Sequence, residues 1–152
     1  MTTPLIEDIG KFLPAKITQA VSATQYLVLG QNLFLGRLPA EAPNSVVCIY
    51  EYEGQPPTFT MGSGISAIEH PRIQVSVRGE PEDYPGVKSW CVLIRNTLLA
   101  WQVPDSTYFP YVMRIEPQGI PNPTGFDDVN RPKFTMNFTF HTNADASGLP
   151  VL

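Results

Sequence analysis

The sequence predicts an α/β fold of the α+β kind: a mostly antiparallel or mixed sheet of about five strands, flanked by a short N-terminal helix and one long helix. Three patterns carry this expectation. Phe134, Met136, Phe138 and Phe140 alternate with Lys133, Thr135, Asn137, Thr139 and His141, the period of a strand with one buried face. Ile73, Val75 and Val77 alternate with Arg72, Gln74, Ser76 and Arg78 in the same way. Between these strands, Val87, Trp90, Cys91, Ile94, Leu98 and Trp101 recur at the three- and four-residue spacing of an amphipathic helix.

In chain order, Thr2 or Thr3 caps a short helix over Pro4–Leu13, with Pro4 suited to the first turn and Pro14 marking the end. Residues 15–24 leave a second short helix open. Tyr26–Leu29 and Leu33–Leu38 are apolar runs separated by Gly30-Gln31-Asn32, read as a tight hairpin or one interrupted strand. Pro39 and Pro43 bracket a turn. Ser45–Glu53 begins apolar on both faces and ends with Glu51 and Glu53 on one of them, as expected of a central strand emerging into solvent. Gly54–His70, with Pro56-Pro57 and Gly62-Ser63-Gly64, reads as a long contact loop. Pro71–Gly79 is the inner strand. Asp83 caps the long helix Tyr84–Trp101, which Pro104 follows. A strand over Tyr108–Glu116, a loop over Gly119–Pro132 and the final alternating strand complete a single domain, residues 1–142. Residues 143–152 read as a loosely held tail. Consecutive strands without intervening helices favour antiparallel pairing, with the helices on one sheet face.

Composition narrows the function. Charged residues make up 16% of the 152, against about 25% in ordinary domains, and the net charge of −4 disfavours broad phosphate binding. Sixteen prolines favour ordered, extended connections. Cys48 and Cys91 sit in apolar runs without metal-ligand spacing and read as buried, reduced thiols. No apolar run is long enough to span a membrane, and no signal peptide is expected.

The catalytic candidates are thin. Asp127-Asp128 lacks a third ligand at metal spacing and reads as a solvated turn or an ion pair with Arg131. Gly62-Ser63-Gly64 lacks a phosphate-loop pattern and reads as an adaptable contact. His70 and His141 have no partner that spacing nominates, and no nucleophile elbow accompanies them. No catalytic residue, cofactor or metal is therefore assigned. The candidates for contact with other subunits or partners are Glu51, Glu53, Arg72, Gln74, Ser76 and Arg78, together with Gly62, Ser63 and Gly64.

Several segments in order resemble the tail terminator proteins of long-tailed phages, often labelled minor capsid proteins. They are Leu33-Phe34-Leu35-Gly36-Arg37-Leu38-Pro39, the strand ending Tyr50-Glu51-Tyr52-Glu53-Gly54, and Pro71-Arg72-Ile73-Gln74-Val75-Ser76-Val77-Arg78-Gly79. Asp83-Tyr84 with its helix follows, then Asp127-Asp128-Val129-Asn130-Arg131-Pro132 leading into the strand with Asn137-Phe138. The resemblance spans Leu33–His141. It implies a virion protein, assembled in the host cytoplasm as a homo-oligomeric, hexameric ring. That ring would cap the tail tube protein and offer its other surface to a head-side connector or stopper. It also raises passage of DNA through the ring lumen; whether Arg37, Arg72 and Arg78 face that lumen stays open at the level of sequence. The alternative within the same virion is a head-completion or neck adaptor; a small soluble enzyme is the reading from another class. Residues 15–24 depart from the family pattern.

Overall fold

The computed structural model describes residues 5–20, 24–60, 66–99, 108 and 111–143. In chain order the elements are α1 (Leu5–Lys16), β1 (Leu33–Leu35), β2 (Val46–Thr60), β3 (Ser66–Arg78), α2 (Tyr84–Leu99), β4 (Val112–Pro117), β5 (Asn122–Phe126) and β6 (Pro132–Asn143). They form one mixed six-stranded sheet in the order β1-β2-β3-β6-β4, with β5 also pairing β6.

The final strand keeps the face pattern expected of it. Phe134, Met136, Phe138 and Phe140 are 1, 4, 1 and 0% exposed, and the first three pair across to Val77, Val75 and Ile73 of β3. On β2, Val47 and Ile49 continue this apolar face opposite Val77 and Val75. Both helices cover it. From α1 come Ile9, Phe12 and Leu13; from α2 come Val87, Trp90, Cys91, Ile94 and Leu98, all joined in one buried cluster. Each large apolar side chain so buried contributes roughly 1.5–3 kcal/mol. The opposite face, which we call the open face, carries Arg72, Gln74, Ser76 and Arg78 of β3 beside Lys133, Thr135, Asn137 and Thr139 of β6.

The helix caps follow local chemistry. Asp83 Oδ1 accepts the Gly86 N–H at 3.1 Å, satisfying a donor that the first turn of α2 leaves unpaired. In α1, Pro14 lies inside rather than at the end. It withholds a single N–H, and the helical bonding resumes with Ile17 N–H donating to Leu13 O at 2.8 Å.

Five expectations are corrected. The Gly54–His70 segment is not a loop: β2 runs through Thr60 and β3 begins at Ser66, so both flanks are strand, with residues 61–65 outside the described set. Proline is tolerated there because the ladder is broken at two bulges. Tyr52–Gln55 opposes Arg72–His70, and Gln55–Thr58 opposes His70–Ile68, each with one extra residue on β2. Pro56 and Pro57 occupy the second bulge, where no ladder donor is required.

The Tyr26–Leu29 run is no hairpin strand. Asn32 accepts the Val28 N–H and donates to the Tyr26 carbonyl, both at 2.7 Å, so the backbone turns, and Leu29 makes an isolated parallel bridge to Leu33. β1 alone is a strand, shorter than Leu33–Leu38, and it lies parallel to β2. Within Gly119–Pro132, residues Asn122–Phe126 form β5 on the outer edge of β6. The strand expected over Tyr108–Glu116 is β4, starting at Val112. The expected end of the long helix at Trp101 and most of the 143–152 tail fall outside the described residues.

Two substitutions test this packing. Phe138→Ala is expected to lower unfolding free energy by about 3–5 kcal/mol, the usual result of removing a buried phenyl ring, as read by denaturant titration; a loss below about 1 kcal/mol would contradict burial. Gly54→Ala drives a Cβ into the His70 carbonyl oxygen. It should loosen the β2–β3 flanks, seen as faster amide exchange at Thr58 and Ile68, with little change in the amides of α2.

Candidate assembly surface

The open face is a strip of mostly neutral polar groups with Arg72 and Arg78 on β3 and Glu116 on β4. On β3, Gln74 Nε2 donates to Asn137 Oδ1 of β6 at 3.3 Å. Beyond β6, Gln118 Nε2 donates to Thr139 Oγ1 at 2.7 Å, which accounts for a threonine buried on a polar face. Arg72, half-buried, stacks its guanidinium 5.9 Å from the Tyr52 ring centre. Among the described residues its Nε is buried without a hydrogen-bond partner, an unusual state for so strong a donor.

Arg78 serves differently. Its Nε and Nη2 donate to the carbonyls of Asn44 and Pro43 at 3.2 and 2.8 Å, tying the proline-bracketed segment before β2 to the sheet. Burial, then the neighbouring Arg131 charge, lowers its pKa from the ordinary value, with Asp127 opposing. Ser76 lies beside Cys48 in the register. Burial raises the Cys48 thiol pKa, against hydrogen bonds involving Tyr50 and Ile49. Cys91 is raised to about 12 by burial alone. Both thiols are free and buried, as expected.

The acids expected beside Arg72 and Arg78 are placed elsewhere. Glu51 pairs with Ile73 and so belongs to the helix-bearing face, exposed past the end of the core. It borders a shallow groove with Ile6, Glu7, Leu35, Gly36 and Tyr50. Glu53 lies in β2 with its side chain outside the described residues, and Gly62, Ser63 and Gly64 are wholly outside them.

The Asp127 turn is structural. Asp127 Oδ1 accepts the Val129 and Arg131 N–H groups at 3.1 and 3.0 Å, and Oδ2 accepts Arg131 Nε at 2.7 Å. Asn130 supplies the left-handed φ of 61°, which Asn tolerates well. Arg131 Nη1 reaches Asn44 Oδ1 at 3.1 Å. Burial pushes the Asp127 carboxyl pKa up, yet the backbone and side-chain bonds from Arg131 and the Val129 N–H outweigh it and leave it below its ordinary value.

Sequence spacing missed one constellation. His70 Nδ1 and His141 Nδ1 lie 2.8 Å apart. Thr58 Oγ1 is 2.9 Å from the other nitrogen of His70, and Glu116 Oε2 is 3.0 Å from the other nitrogen of His141. The His141 hydrogen bond, then the Arg114 charge, holds the Glu116 carboxyl below its ordinary range. The two histidines are 71 residues apart, so only the β3–β6 register brings them together; alternation placed His141 on the polar face and could go no further. Among the described residues no group of three or more His, Cys, Asp or Glu is arranged to hold a metal ion, and no helix is long and apolar enough to cross a membrane.

Comparison with known proteins adds two findings. A family profile described as bacteriophage tail terminator protein matches residues 20–144. Among solved structures, a chain from the virion of a native gene transfer agent particle superposes with a TM-score of 0.50 at 12% identity, covering 87% of this chain and 98% of that one. That likeness concerns the fold. No curated protein sequence matches.

The Asp127 geometry makes a pH prediction. A carboxyl whose folded pKa is depressed stabilises the fold above its unfolded value and loses that contribution as pH falls through the folded value. The gap in thermal midpoint between the native protein and Asp127→Asn should therefore be widest at neutral pH and narrow once pH drops below the ordinary value of 3.8. An equal gap at pH 7 and well below pH 3.8 would contradict it.

Proposed function

We propose, from the premise that this chain belongs to the bacteriophage tail terminator family and is a structural protein of the phage particle, that it closes the tail tube as a hexameric ring and offers its far surface to the head-side connector. The observation that supports this reading is the unpaired Nε of Arg72 on the open face, with Glu51 exposed on the opposite sheet face. Arg72, Gln74 and Ser76 occupy the open face, whereas Glu51 stands on the helix-bearing face.

Arg72 and Glu51 stand on opposite sheet faces, so a two-fold axis that sets open face on open face cannot bring them together. This placement suits a heterologous contact, in which the open face of one copy meets the acidic corner of the next and repetition closes a ring. Charge then governs partner choice and register more than raw affinity. The desolvated, unpaired Nε of Arg72 favours an acceptor arriving from outside the chain. Arg78, already bonded to Pro43 and Asn44, borders this contact and holds its edge in place. The β2–β3 hairpin, with Phe59 67% exposed, would reach the tube or the adjacent subunit. Termination on this reading is stoichiometric: one ring surface matches the tube end, and the other cannot receive another tube ring.

Mass measurement across concentration, alone and with tail tube protein, tests the proposal. The native chain should form a closed oligomer or do so on the tube. Arg72→Glu should weaken assembly about tenfold or more, about 1.4 kcal/mol, while leaving the thermal midpoint of the monomer nearly unchanged. A native chain that stays strictly monomeric with and without tube protein would contradict the ring.

A further inference from the structure

The Thr58–His70–His141–Glu116 chain crosses four adjacent strands, β2, β3, β6 and β4, on the open face. It does so where the backbone ladder is interrupted. The β2–β3 register slips on both sides of Gln55–His70. On the other side of β3, the pairs with β6 resume only at Glu69–Thr142 and Arg72–Thr139. Pro71, between them, has no N–H to give. Side chains here supply cross-strand ties that the main chain lacks.

Their proton count is fixed by chemistry. The ionised Glu116 only accepts, so His141 Nε2 carries a hydrogen. Neutral His141 then presents a bare Nδ1, and the 2.8 Å contact requires His70 to donate from its Nδ1. Thr58 donates its hydroxyl to the remaining His70 nitrogen. A first added proton fits on His70 Nε2, with the Thr58 hydroxyl turning to accept. A second has nowhere to go except His141 Nδ1, which removes the only acceptor in the contact and sets two imidazolium ions against each other.

We infer that the His70–His141 pair is a proton-gated tie: it holds the distal β2–β3 hairpin onto β6 while the pair carries at most one added proton and lets go when both imidazoles are charged. The surrounding charges are mixed. Arg72 follows His70 on the same face of β3, and Arg114 of β4 pairs in register with His141; both oppose the second proton. Glu116 of β4 favours it. Glu69, which precedes His70, points to the other face, and β2 contributes the neutral Thr58 and Gln55. The open form accepts one more proton than the closed form, so acid favours opening by up to about tenfold per pH unit.

This inference does not rest on the ring reading and is tested on the isolated full chain. Amide exchange at Gln55, Thr58, Phe59, Ile68 and Glu69 is measured at about pH 7.5 and pH 5, corrected for intrinsic rates, with a chelator present so that no metal replaces the shared proton. Opening should be several-fold greater at the lower pH, by up to about tenfold per pH unit, with the α2 amides unmoved, and His141→Gln should abolish the pH dependence. Protection that is equal at both pH values, or an unchanged slope in His141→Gln, overturns it. Should that variant fail to fold, imidazole nitrogen spectra of the native chain decide: His70 as the Nδ1–H tautomer with His141 as the Nε2–H tautomer near neutral pH supports the tie, and two Nε2–H tautomers refute it.

Discussion

The pairing of β6 with β3 is the constraint on which the rest of this structure depends. β6 touches β3 along one edge and both β4 and β5 along the other, so its register sets the register of half the sheet. Phe134, Met136 and Phe138 lock against Val77, Val75 and Ile73 beneath the two helices. A slip by one residue would turn all of these toward water and bring Lys133 and Asn137 into the core. Because slippage is so unfavourable, the polar half of the strand is equally fixed, and the Gln74–Asn137 and His70–His141 contacts follow from it.

The open face is thus a by-product of the core. The apolar half faces both helices, and the other half remains available with its backbone already committed. Arg72 illustrates the consequence: its position, its stack on Tyr52 and its unpaired Nε are set by strand geometry. Glu51 occupies the other side of the same sheet for the same reason, since it is in register with a core residue, Ile73. Placed on opposite faces of one sheet, Arg72 and Glu51 suit the head-to-tail contact proposed above.

The sequence made legible those features governed by local period. β6, the inner part of β3, the stripe of α2 and the Asp83 cap all follow from spacing and residue type. So does the ion pair of Asp127 with Arg131, four residues away. What stayed hidden depends on distant partners. Pro56-Pro57 argues for a loop when read alone; only the straight run of β3 opposite shows that two one-residue bulges accommodate it within a strand. Leu33–Leu35 carries no mark of pairing parallel to β2. The carbonyls that hold Arg78 lie 34 and 35 residues away, and alternation could place its side chain on a face but not name its partners.

The central claim is that the open face of one copy meets the helix-bearing face of another. Cysteine crosslinking tests it most directly, because Cys48 and Cys91 are buried and leave introduced thiols as the reactive ones. In a chain carrying Gln74→Cys and Glu51→Cys, assembled with tail tube protein, the account predicts crosslinks between position 74 of one copy and position 51 of the next. Crosslinks joining 74 only to 74, or none in a verified assembly, would contradict it.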